Sequence, residues 1–134
     1  MIFPKMKKTA LAIALLSAAL PALAQEPAIT FDETSYDFGT IAEDGGNVSH
    51  EFKFTNTGDA PLMIVNASAS CGCTRPTYPK KPVAPGKTDK IKVTYVPAGR
   101  PGEFVKTVTV KTNAKKQKSV KLKIKGVVIP KKDK

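Results

Sequence analysis

From Val48 to Asn56 the chain alternates strictly. Val48, His50, Phe52 and Phe54 fall on one face, and Ser49, Glu51, Lys53 and Thr55 on the other. A period of two is that of a strand with one face buried and one in water. The pattern recurs. Ile91, Val93 and Tyr95 form an inward set within Lys90–Val96, and Val120, Leu122 and Ile124 alternate with Lys121, Lys123 and Lys125 before Gly126–Ile129 continues the run. Shorter β-type runs are Ala28–Phe31, Tyr36–Ile41, Leu62–Val65 and Glu103–Lys111. Asn56-Thr57-Gly58-Asp59, Pro85-Gly86 and Pro101-Gly102 supply turns between them. No stretch after residue 24 carries a helical period. About seven strands with turn signals between them predict an all-β Greek-key sandwich.

The first 24 residues stand apart from this pattern. Lys5, Lys7 and Lys8 precede an apolar or small run from Thr9 to Leu20, Pro21 breaks it, and Ala22-Leu23-Ala24 has the form of a cleavage site. This reads as a secretory leader over 1–24, with the mature chain starting at Gln25. The run is short for a membrane span, and no later segment is apolar enough for one. The expected organisation is therefore a leader over 1–24, a sandwich over 25–129 and a basic tail over 130–134. The expected location is outside the cytoplasm, in a periplasm or beyond.

Charge is divided along the chain. Residues 25–70 carry a net −7 and residues 71–134 a net +15. One reading is mutual neutralisation, since acidic and basic strands interleave in a sandwich. The other is a basic face for an anionic surface polymer or lipid head group, with Lys121, Lys123 and Lys125 as its residues; the expected partner is a protein or such a polymer. The same lysines are also what a sheet edge uses to block pairing with another sheet. Nucleic acid is disfavoured: the lysines have little aromatic company for base stacking, and no zinc-finger or helix-turn-helix spacing is present.

Chemistry has few carriers. The whole chain holds one His, two Cys and no Trp. No Ser–His motif or glycine-rich phosphate loop exists, and the expectation is a protein that is not an enzyme. Glu43-Asp44-Gly45-Gly46-Asn47 is rich in oxygen but lacks the spaced ligands of a calcium loop, and reads as a hairpin turn. Between Cys73 and Lys87 prolines 76, 79, 82 and 85 recur every third residue, the polyproline II repeat, which suggests a stiff crossing from one sheet to the other.

Cys71-Gly72-Cys73 is the one chemical lead. An internal disulfide there closes an 11-atom ring, and the loop-closure entropy of three residues contributes only about 1.6 kcal/mol. Such a bond is a local pin or a thiol–disulfide exchange pair. Alternatively two thiolates this close suit soft metals, copper(I) or zinc(II). Four-coordinate zinc requires two more ligands, for which His50 and Met63 are the secondary candidates. His50 is equally explained as a satisfied inward histidine. A third reading makes both cysteines packing residues in a non-catalytic module, or the site of disulfides to another chain.

Several blocks together carry a family resemblance: Tyr36-Asp37-Phe38-Gly39-Thr40-Ile41, Phe52-Lys53-Phe54-Thr55-Asn56-Thr57-Gly58, Pro61-Leu62, Cys71-Gly72-Cys73-Thr74 and Pro85-Gly86-Lys87-Thr88, then Gly102-Glu103-Phe104-Val105-Lys106, Thr112-Asn113 and Gly126-Val127-Val128. In this order, from about Phe31 to Val128, they resemble the bacterial domain-of-unknown-function family 1573, common in Bacteroidota. That family is similar to Hydin-like and major-sperm-protein-like immunoglobulin domains. The resemblance implies an immunoglobulin-like Greek-key β-sandwich and secretion, with Cys-Gly-Cys-Thr as the family signature. It implies no activity and assigns no catalytic residue. The reading that follows is a secreted binding or assembly module, with soft-metal or thiol chemistry at Cys71 and Cys73 as the alternative.

Overall fold

The computed structural model describes residues 25–132. The leader expected over 1–24 and the end of the basic tail, 133–134, lie outside the described residues. Among the described residues eight strands form two four-stranded sheets. They are β1 (Ile29–Phe31), β2 (Ser35–Ala42), β3 (Val48–Asn56), β4 (Ile64–Ala69), β5 (Thr74–Thr77), β6 (Thr88–Tyr95), β7 (Gly102–Thr112) and β8 (Ser119–Ile129). One sheet runs β1-β3-β6-β5 and the other β2-β8-β7-β4. All pairings are antiparallel except β2 with β8, which is parallel.

The alternation places the core as expected. Phe52, Phe54, Ile91, Val93, Tyr95, Val108, Val110, Leu122, Ile124 and Val128 are buried between the sheets. Tyr95 of one sheet stacks on Phe104 of the other, ring centroids 3.9 Å apart. Stacked rings bury large apolar area with defined geometry, and so fix the spacing of the sheets at this end. At the other end the buried Asn56 replaces backbone partners that the turn cannot supply. Its Nδ2 donates to Ala60 O (2.8 Å) and Val83 O (2.9 Å), and its Oδ1 accepts from Gly58 N–H (3.0 Å).

Three expectations are corrected. The proline-rich segment is not the crossing between sheets. Its first part, Thr74–Thr77, is an additional strand, β5, paired with β6 in the same sheet. Pro76 is tolerated there because β5 lies at the sheet edge, where a missing N–H costs no ladder bond. Farther on, Val83 exchanges both backbone bonds with Leu62 (2.7 and 2.9 Å), which separates Leu62 from β4. Second, Glu43–Asn47 is not a hairpin. It joins β2 to β3, which belong to different sheets, and the Glu43 carboxylate is occupied by Gly99 N–H (3.0 Å) and Lys131 N–H (3.2 Å). Third, β8 is last in sequence but interior in its sheet, flanked by β2 and β7. Its lysines therefore guard no edge.

Candidate functional site

Between β4 and β5 the chain crosses from one sheet to the other at the Cys-Gly-Cys segment. β4 ends at Ala69 in one sheet and β5 begins at Thr74 in the other. The residues that lead into the crossing, Ala67-Ser68-Ala69-Ser70, are all small. Cys71 and Cys73 are disulfide-bonded, with their Cα atoms 5.1 Å apart. Three backbone donors fix the corner. Cys73 N–H donates to Cys71 Sγ (3.1 Å), Thr74 N–H to Cys71 O (3.1 Å), and Val96 N–H to Cys73 O (2.8 Å). The two sulfur-bearing residues differ in environment. Cys73 is 1% exposed within the core, whereas Cys71 is half-buried at its margin. Thr74 Oγ1 lies 3.5 Å from Cys73 Sγ.

The secondary metal candidates lie elsewhere. His50 stacks face to face on Tyr36 of β2, centroids 3.6 Å and planes 7° apart, and meets the edge of Phe52 at 4.8 Å. Its Nε2 is paired with the Glu33 carboxylate. Neither Glu33 nor Tyr36 was legible as its partner, because both come from the distant β1–β2 region. Met63 precedes β4 at the end opposite the cysteines, its N–H held by Asn113 Oδ1 (2.8 Å). Cys71, Cys73, His50 and Met63 are thus not brought together. Among the described residues no group of three or more His, Cys, Asp or Glu side chains is placed to hold a metal ion.

Lys121, Lys123 and Lys125 share the outer face of β8 and are exposed. Their spacing along the strand is about 6.8 Å. Register sets them beside Thr109, Thr107 and Val105 of β7, and sets Lys123 and Lys125 beside Ser35 and Asp37 of β2. Lys111 extends the basic row on β7, opposite Asn66 of β4. The Lys106–Lys111 alternation of threonine and valine was the sequence signal for these neighbours. The ion pairs among the described residues are His50–Glu33, Lys90–Glu51 (2.9 Å) and Lys115–Glu26 (3.9 Å). None involves the β8 lysines, although Asp37 of β2 lies beside Lys125 in register. The opposite sheet is different. There the hydrogen bond from Lys90 holds the Glu51 carboxyl below its ordinary value, slight desolvation opposes it, and the charges of Lys90, Lys92 and Lys53 add to the lowering. Val105 (60% exposed) and Val127 (39%) sit diagonally on the basic face. No helix among the described residues is long and apolar enough to cross a membrane.

The family model described as "Protein of unknown function (DUF1573)" matches residues 29–128. No curated protein matches the chain in sequence. Among solved structures it is similar to a protein of unknown function from Porphyromonas gingivalis W83, with TM-score 0.69 and 18% identity. The match covers 81% of this chain but only 50% of that one, so the chain spans half of that protein's length. It is also similar to the ASH/PapD-like domain 7 of human CEP192, with TM-score 0.65, 13% identity and coverage of 80% and 89%. A third likeness is to the Escherichia coli chaperone DraB, with TM-score 0.53, 16% identity and coverage of 78% and 56%. At these identities the likenesses show the fold alone, an immunoglobulin-like β-sandwich.

Proposed function

The chain belongs to the family described as protein of unknown function (DUF1573), and on that premise we propose that it is an extracytoplasmic, non-catalytic binding or assembly module. Its contact surface is the outer face of the β2-β8-β7-β4 sheet, and its partner is anionic: a surface polymer or an acidic protein. The observation that carries this reading is the row Lys121–Lys123–Lys125 on an interior strand. The row has no acidic partner among the ion pairs formed by the described residues, and no edge to protect. Thr107, Thr109 and Ser35 flank Lys121 and Lys123 in register, and Asp37 and Val105 flank Lys125. The fold likeness to the chaperone DraB and to a PapD-like domain supports binding as the mode of action. The leader-like residues 1–24 and the disulfide support an oxidising location.

The test uses an immobilised uronic-acid polysaccharide and immobilised polyglutamate as probes. Retention is expected on at least one of them, falling steeply between about 50 mM and about 500 mM salt as exposed charges are screened. Replacing Lys121, Lys123 and Lys125 together by Gln should abolish most of that retention with the fold intact. Retention that ignores salt, or that survives the triple substitution, sinks the reading.

A further inference from the structure

The disulfide at the crossing is poorly suited to be a staple. It spans a single residue, so it restricts the unfolded chain very little. The corner it sits in is already held by Thr74 N–H to Cys71 O and Val96 N–H to Cys73 O. Neither bond depends on the sulfurs being joined, so opening the ring leaves β5 tied to β6.

The surroundings of the two sulfurs favour opening and closing. Cys71 is half-buried at the core margin, so a thiol from outside meets its Sγ first. Cys73 N–H already points at Cys71 Sγ (3.1 Å), and the Thr74 hydroxyl lies 3.5 Å from Cys73 Sγ. A hydrogen-bond donor stabilises a sulfur that leaves as a thiolate. Here each sulfur has a donor in place, and the backbone one is immobilised by the neighbouring ladder bonds. Arg75 follows on β5, and Lys106 occupies the first inward position on β7 beyond the Ala69–Val108 pair, where β4 departs for the crossing. Both add positive potential at this end of the molecule, on the strongly basic half of the chain.

We propose that Cys71–Cys73 is a thiol-exchange site, entered at Cys71, that accepts two electrons from an external dithiol and returns them to an external disulfide. In the reducing direction a thiolate of the dithiol attacks Cys71 Sγ. The Cys71–Cys73 bond breaks, and its electron pair leaves on Cys73 Sγ, where the Thr74 hydroxyl receives it and a proton follows from solvent. The second thiolate of the dithiol then attacks its own sulfur in the mixed disulfide. Cys71 is released as a thiolate bonded to Cys73 N–H and is protonated from solvent. The external dithiol ends as a disulfide, and the protein ends with two thiols. This site is independent of the basic face.

The test exposes the folded, oxidised protein to dithiothreitol without denaturant, quenches with acid, alkylates and weighs the product. Reduction is expected in the folded state, at a rate proportional to dithiol concentration. The reduced protein is then treated with limiting iodoacetamide and mapped. Cys71 should label roughly tenfold or more faster than Cys73, because a thiol so deeply buried reacts only through local opening. A Cys73→Ser variant given oxidised glutathione should trap the mixed disulfide at Cys71. If that variant fails to fold, the labelling of the wild-type protein decides. Reduction that occurs only after urea unfolds the chain overturns the proposal, as does labelling of Cys73 at a rate equal to or above that of Cys71.

Discussion

The ring of Phe104 covers Gly126 so closely that a Cβ at 126 would come within 2.8 Å of its Cε1 and Cζ atoms, and within 2.9 Å of the Gly39 carbonyl oxygen. β2 bulges between Asp37 and Thr40, with Gly39 at φ +70°, and this turns the Gly39 carbonyl toward β8. The glycine at 126 is therefore what lets the parallel β2–β8 pair and the Tyr95–Phe104 stack coexist.

Gly126→Ala is accordingly expected to destabilise the protein by about 1–3 kcal/mol, the range for overfilling a packed interior. The ring can shift a little; the carbonyl, held in a strand, can shift less. Urea unfolding measures it. A change below about 0.5 kcal/mol would mean that the bulge relaxes freely.

Asn56→Ala should cost more than an ordinary surface change, about 1–3 kcal/mol, because it leaves the part-buried Ala60 carbonyl and Gly58 N–H without their partner, while the Val83 carbonyl keeps only the N–H of Leu62. Asn56→Asp should be worse at neutral pH than near pH 3. It keeps an acceptor for Gly58 N–H but points a charge with no donor at two carbonyls. Denaturant midpoints at the two pH values check the ordering.

Tyr95 is 1% exposed, and burial raises its phenol above the ordinary value of 10.0, opposed only by the charge of Arg100. A raised acid constant means that the folded state holds its proton longer than the unfolded chain. The contribution is therefore complete below pH 10.0 and is lost as the pH rises from there through the folded value. Stability should decline in that window, and Tyr95→Phe should flatten the decline relative to wild type. Parallel slopes for the two proteins would rule out this residue as the source.

Reducing Cys71–Cys73 without unfolding should lower stability by about 1.6 kcal/mol or less, since so short a loop removes little disorder from the unfolded chain. Urea curves with and without reductant give the difference. A much larger loss would show that the crossing, and β5 with it, depends on the bond.

Much of the sandwich was legible because alternation is a local signal. β3, β6 and β8 follow from residues two apart, and their inward sets are the observed core. What failed was non-local. Nothing near Lys121 reveals that β2 will lie alongside β8, so an interior strand reads as an edge. Pro76 reads as polyproline because an edge strand and a polyproline segment share an extended backbone; only the Pro76–Val93 register separates them. At the candidate site, Cys71-Gly72-Cys73 was conspicuous, but its place between two sheets was not. That place depends on where β4 stops. His50 faced inward as the pattern required, while its stacking on Tyr36 depends on how the sheets are laid together.

The parallel β2–β8 ladder also sets a timetable. Ser35 pairs with Lys123 and Tyr36 with Ile124, and the Ile29 N–H is capped by the Gln117 side chain. β2 thus finds its strand partner only in the distant β8, whereas β1 pairs with the nearby β3. Closing so long a span of chain is slow compared with forming a hairpin. Until β8 is in place, β2 is an unpaired ribbon with Tyr36, Phe38 and Ile41 uncovered. A chain truncated before residue 119 is therefore expected to be a target for chaperones and proteases, and not a smaller folded domain.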